Sequence, residues 1–241
     1  MPADGKPSES VWTRPRRPQR EQLTREHIVA AAIELLDLEG IEALTMRGLG
    51  GRLNTAATSL YRHVANRDEL IQLAVDEVYG ELDPPAATDR ARWRESVTRI
   101  AAELRAMTLR HPWMAPELGQ VGLIHIGPNA LRMSSGMLAH FEAAGFPPQE
   151  RDQAVGTLTA YVIGIATSEA AYLSLIARSG RTEREWVEGL RPALDAASRQ
   201  DPGLREGASA RRDADPRQIR DDAFSYGLDR VLDGLEARLT G

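Results

Sequence analysis

The sequence contains no cysteine, which excludes disulfides, thiolate catalysis and cysteine-ligated metals. Lys6 is the single lysine and lies in a polar, proline-rich N-terminal stretch. A Walker-type phosphate loop needs a lysine beside its glycines, so that chemistry has no candidate. There is no HExxH zinc motif and no GxSxG nucleophile elbow. None of the five histidines, His27, His63, His111, His125 and His140, has a glutamate three residues before it. The Glu-x-x-His pattern of di-iron bundles is therefore missing too. Strand-like alternation and internal repeats are absent. Residues 1–22 lack an apolar core, so no secretory signal is expected. The longest uncharged apolar stretch, near Ala154–Ser168, is shorter than a membrane span. These absences predict a cytoplasmic protein with no catalytic residues, no cofactor, no metal and no membrane partner.

What remains is helical patterning and one unusual charge distribution. Over the 241 residues the net charge is −5. From Ala43 to Arg67 there is no Asp or Glu, although the average acid content would place between three and four there. The same window carries Arg47, Arg52, Arg62 and Arg67. A locally basic element in an acidic chain points to a phosphate-facing surface. Within it, Thr45 is placed to cap a short helix, and Met46, Leu49 and Leu53 share one face. Asn54 suits the left-handed residue that ends that helix. A second short helix turns Leu60 and Val64 inward and leaves Thr58, Ser59, Tyr61, Arg62 and His63 on its other faces. That pattern reads as a helix-turn-helix for DNA. The alternatives are a structural or adaptor bundle without DNA binding, and a helical enzyme built from scattered residues.

The segment Ser59-Leu60-Tyr61-Arg62-His63-Val64, followed by Asn66-Arg67-Asp68-Glu69-Leu70, resembles the DNA-binding domain of TetR-family repressors. The resemblance includes a preceding helix over Thr24–Glu39 and a following one over Arg67–Gly80. Arg67 stands where that family usually has Lys, Asn54 where it has Gly, and Ala56 where it often has a capping Ser. Gly48, Gly50 and Gly51 crowd the first helix of the motif, each costing up to about 1 kcal/mol of helix propensity against Ala. The resemblance implies that Thr58, Ser59, Tyr61, Arg62 and His63 face the major groove. Tyr61 and His63 are expected on phosphates, Arg47 on a guanine edge, and Thr45 and Arg67 as clamps on the backbone from helix ends.

The resemblance also implies an all-α homodimer on a palindromic double-stranded DNA operator, with a larger C-terminal helical domain that binds an effector and dimerises. The expected division is a basic arm over residues 1–22, a three-helix DNA-binding domain over 23–80, and the second domain over 84–241. Asn66 with Glu69 has capping-box spacing, and Asp83-Pro84-Pro85 breaks the chain. Further helices are expected over about Asp89–His111, Pro128 to before Gly145, Pro148 to about Arg178, Thr182–Ser198, and from Pro216 onward. Arg110-His111-Pro112-Trp113, His125-Ile126-Gly127-Pro128-Asn129-Ala130-Leu131, Ala144-Gly145-Phe146 and Ala160–Gly164 are similar to the tetracycline-repressor branch of the family.

Met107, Trp113, Ile126, Met137, Phe141, Tyr161 and Ile165 suit a roomy pocket, and suit a plain core equally well. His125 and Glu169 fall where tetracycline repressors hold a magnesium-chelated drug. Imidazole is a poor magnesium ligand, so a small, largely apolar effector is the expectation. Gly156, Ala160, Gly164 and Ser168 recur every four residues, a smooth stripe for a dimer interface or for packing inside one subunit.

Overall fold

The computed structural model describes residues 23–86, 90–118, 127–200 and 214–239. All regular structure among them is helical. Four helices come first: α1 (Arg25–Glu39), α2 (Met46–Arg52), α3 (Ala57–Leu60) and α4 (Arg67–Tyr79). Then follow α5 (Trp93–Arg110), α6 (Ala115–Leu118), α7 (Pro128–Ala144), α8 (Pro148–Ser179), α9 (Glu183–Gln200) and α10 (Pro216–Glu236). The helix over 89–111 is shorter than its pattern predicts, because its first turn is a 3₁₀ turn at Arg90–Arg92.

Local chemistry explains the ends. Thr24 caps α1 by accepting from the His27 amide, and Asn66 caps α4 by accepting from the Glu69 amide at 2.8 Å. Glu69 answers to the Ala65 amide at 2.5 Å, one residue before the position a capping box uses. Gly145, at φ 100°, closes α7 in the left-handed region, where a side chain is strained.

α5, α7 and α10 pack around α8. Trp93, Phe141 and Phe146 meet at ring-centroid distances of 5.1–5.8 Å in the core between α5 and α7. α8 is longer than its apolar stretch. Its 32 residues include a window of mean hydropathy 1.4, so by length and composition alone it matches a membrane span. Only 28% of that window is buried. Buried Ala154, Leu158, Val162 and Ala166 face the chain's own core.

Two junctions tie α1 and α4 to this body. Asp76 of α4 reaches the start of α7, where its Oδ1 accepts from the amides of Asn129 and Ala130, both at 3.0 Å. The Asn129 side chain donates back to the Asp76 carbonyl at 3.0 Å. A carboxylate at a helix N-terminus satisfies amides that have no partner within the helix. At the second junction, His111 places Nδ1 2.7 Å from Asp37 of α1 and Nε2 2.9 Å from Glu81 beyond α4. The Trp113 indole also donates to Asp37, at 2.7 Å.

Two glycines separate stability effects. Gly51 is exposed, and a Cβ there meets nothing within 4 Å. A Cβ on Gly127 would stand 2.2 Å from the Asp76 carboxylate. Gly51→Ala is expected to stabilise by up to about 1 kcal/mol, and Gly127→Ala to cost about 1–3 kcal/mol. Thermal melts of the two variants check both signs.

Candidate DNA-binding surface and effector cavity

The helix-turn-helix is built on close approach. Thr45 Oγ1 accepts from the Gly48 amide at 3.0 Å and starts α2. Leu49 and Leu60 are fully buried, and Met46 and Val64 nearly so. Asn54, at φ 51°, makes the turn. The Thr55 amide then donates to the Gly50 carbonyl at 2.8 Å. A Cβ on Gly50 would lie 3.0 Å from the Thr55 carbonyl and 3.3 Å from the Ala57 amide. The low helix propensity of Gly50 is therefore offset by the approach it permits. Ala56 offers no side-chain cap, and α3 spans one turn before continuing as bonded turns to His63 and Val64.

Anchoring Leu60 and Val64 turns the opposite side outward. Thr58, Tyr61 and Arg62 are exposed, Tyr61 by 51%, while Ser59 and His63 are half-buried. The His63 carbonyl accepts from Arg25 Nε at 3.1 Å, which holds the end of this segment against α1. Arg47 is exposed on α2. Arg25 and Arg52 pair with Glu69, Glu34 and Glu39 at 3.7–4.0 Å. Arg47 and Arg62 make no such pair among the described residues, so two uncompensated guanidiniums stand with Tyr61 in the acid-free stretch. Arg67, expected as a clamp on the DNA backbone, makes two bonds within the chain. It is half-buried, with Nε donating to the Leu44 carbonyl at 2.8 Å and Nη2 to the Ile41 carbonyl at 2.6 Å. Those bonds fasten α4 to the link between α1 and α2, and direct the guanidinium into the protein. The 1–22 arm lies outside the described residues.

The comparisons agree with this geometry. Residues 28–74 match the profile described as bacterial regulatory proteins, tetR family. Residues 84–239 match the tetracyclin repressor-like, C-terminal domain. The chain belongs to the TetR family. An HTH-type transcriptional regulator of Saccharopolyspora erythraea is 40% identical over 172 residues, covering 70% of this chain and 71% of that one. The HTH-type transcriptional repressor DrrR1 of Streptomyces coeruleorubidus is 33% identical over 233 residues, 95% of this chain and 84% of that one. Among solved structures, Streptomyces coelicolor ActR in complex with actinorhodin superposes with a TM-score of 0.74 at 30% identity, covering 90% of this chain and 97% of that one. This TetR-family protein is a DNA-binding transcriptional regulator.

In this regulator the described residues expected to bind an effector fall in more than one place. Met107, Met137 and Phe141 are buried in the core. Trp113 is buried too, and its indole is held by Asp37. Tyr161 donates to the Phe224 carbonyl at 2.7 Å and stacks on that ring, joining α8 to α10. His125 and Ile126 lie outside the described residues. Ile165 and Glu169 line a cavity of about 390 Å³ between α8, α9 and α10. The stripe of Gly156, Ala160, Gly164 and Ser168 is exposed, and a Cβ on Gly156 or Gly164 would meet nothing within 4 Å. Among the described residues, nothing packs on the stripe at Gly156 or Gly164.

Glu169 is held by arginines that no local pattern predicts. Arg105 Nε and Nη2 grip its two oxygens at 2.7 and 2.8 Å, and Arg220 Nε adds a bond at 2.8 Å. These partners lie 64 and 51 residues away in sequence. A magnesium ion would have to displace a guanidinium from this carboxylate. Burial pushes the Glu169 pKa up, but the hydrogen bonds and charges of Arg105 and Arg220 outweigh it and hold the carboxyl below its ordinary 4.5. The ionised form therefore stabilises the fold above the ordinary carboxylate range, and that stability is lost as pH falls through the lowered value. Glu169→Gln is expected to cost about 1.5–3 kcal/mol near neutral pH, because Arg105 and Arg220 each lose one of two carboxylate partners. It should also flatten the fall in melting temperature below about pH 5. Melts of both proteins across the acid range measure the difference.

Proposed function

We propose that the protein is a repressor that binds a palindromic operator as a homodimer and is released by a small, largely apolar effector. The outward face of α3, with Tyr61 half-exposed between two unpaired arginines in an acid-free stretch, carries this reading. Thr58, Ser59, Tyr61, Arg62 and His63 enter the major groove, Arg47 reads a base edge, and Thr45 approaches the backbone. Few of these side chains suit bidentate base reading, so DNA shape supplies part of the specificity. The reading divides the chain into a basic arm over 1–22, a DNA-binding unit over 23–80 and an effector-binding, dimerising unit over 84–241. It assigns no catalytic role and places the protein in the cytoplasm with its DNA.

The dimer reading is supported by α8. An apolar helix with only 28% of its apolar window buried needs a cover. Gly156, Ala160, Gly164 and Ser168 would let a second α8 approach closely, with α10 completing an intersubunit four-helix bundle. Dimerisation matches two recognition helices to successive major grooves. An effector that favours a different dimer geometry weakens DNA binding by population shift.

Selection of bound sequences from random duplex DNA, followed by titration of the winner at several salt concentrations, tests the reading. The expected winner is palindromic. Tyr61→Ala should weaken binding, and Arg47→Ala should cost about 1–3 kcal/mol on the winner with a smaller loss on unrelated DNA. Arg67→Ala should lower affinity without changing the salt slope, as befits a residue that positions α4, whereas losing a phosphate contact would reduce that slope by about one unit. No enrichment at low salt by the folded protein would favour the adaptor bundle. Gly164→Arg should shift the sedimenting species from dimer to monomer.

A further inference from the structure

The cavity between α8, α9 and α10 has two unlike walls. Ile165, Val187 and Ile219 make one apolar, and Glu169, Glu183 and Arg220 make the other charged. Its volume, about 390 Å³, falls in the range of small-molecule sites, which combine an apolar lining with a few placed polar groups. It also sits between the two helices whose outer faces form the proposed dimer surface.

The charged wall is selective. Arg220 is engaged twice, through Nε to Glu169 at 2.8 Å and through Nη1 to Glu183. Arg105, behind it, donates to Glu169 and pairs with Asp221 at 2.8 Å. Two guanidiniums thus face three carboxylates, Glu169, Glu183 and Asp221, leaving an excess of one negative charge. Glu169 is saturated by its arginines. Glu183, at the first turn of α9, shares only one oxygen with Arg220 and adjoins the Tyr172 phenol. Its remaining lone pairs accept a donor. An incoming carboxylate would have to draw Arg220 away from Glu183, leaving a half-buried acid unpaired.

We infer that this cavity seats the effector and takes an apolar, ring-sized molecule whose polar end is a hydrogen-bond donor, an amine or hydroxyl directed at Glu183, and that it rejects carboxylates. The inference rests on the regulatory reading above. A molecule lodged there separates α8 from α10, and the spacing of those helices sets the geometry of the proposed dimer.

Fluorescence titration of the full chain without DNA tests the site, using aminopyrene, hydroxypyrene and pyrenecarboxylate, which share one ring body. The amine and the phenol are expected to saturate at one per chain and to bind roughly tenfold or more tighter than the carboxylate. Glu183→Gln should remove most of that preference. Ile219→Trp, which fills the cavity, should abolish binding, with a melting curve to show that it folds. Val187→Trp fills it from α9 and should do the same. Absence of saturable donor binding, equal binding of the carboxylate, or wild-type affinity in a filled, folded variant overturns the site. Aminopyrene is then titrated into the protein–operator complex. Binding without release of DNA keeps the ligand site and removes its effector role. Failure to select any operator in the first place strikes the regulatory reading alone.

Discussion

The carboxylate of Asp76 at the start of α7 is the contact on which the coupling of this molecule depends. A helix N-terminus exposes amides that have no partner within the helix, and a carboxylate satisfies them both as acceptor and as counter-charge. Here the carboxylate comes from a different helix, α4, whose own N-terminus is fastened to the helix-turn-helix through Arg67. One element, α4, therefore touches both the link that leads into α2 and the body. Gly127 is what lets Asp76 in, since any side chain there would occupy the space of the carboxylate. His111, held between Asp37 and Glu81, ties α1 to the end of α5 and gives the same assembly a second point of attachment.

That linkage gives the DNA-binding surface its character. α3 is one turn long and uncapped, and so has little stability of its own. Leu60 and Val64 hold it from beneath, Gly50 lets its start close onto α2, and Arg25 holds the carbonyl of His63. The outward side chains are thus exposed while the backbone under them is fixed from three directions. In a chain of net charge −5, Arg47 and Arg62, without an ion pair among the described residues, concentrate positive potential on this surface.

The body divides its apolar groups between two tasks. Trp93, Phe141 and Phe146 pack ring against ring in an aromatic core. A cavity lies where α9 leans on α8 and α10, beside the arginines that hold the Glu169 carboxyl below its ordinary pKa. The small residues of α8 look outward, so the longest helix serves the core on one side and offers a smooth surface on the other.

Helix periodicity, capping residues and breakers are local properties, and they were sufficient for the element order, the turn at Asn54 and the outward set on α3. The acid-free stretch was likewise legible, because charge composition does not depend on folding. The tertiary structure alone decided three matters. It joined Arg67 to the Leu44 and Ile41 carbonyls, which packing brings within its reach. It assigned Met107, Met137 and Phe141 to the core, because the same large apolar side chains line a pocket or fill one according to what packs opposite. It brought Arg105, Glu169, Glu183 and Arg220 together from four helices. Periodicity tells which face of a helix is apolar; only the packing of helix on helix determines what that face meets.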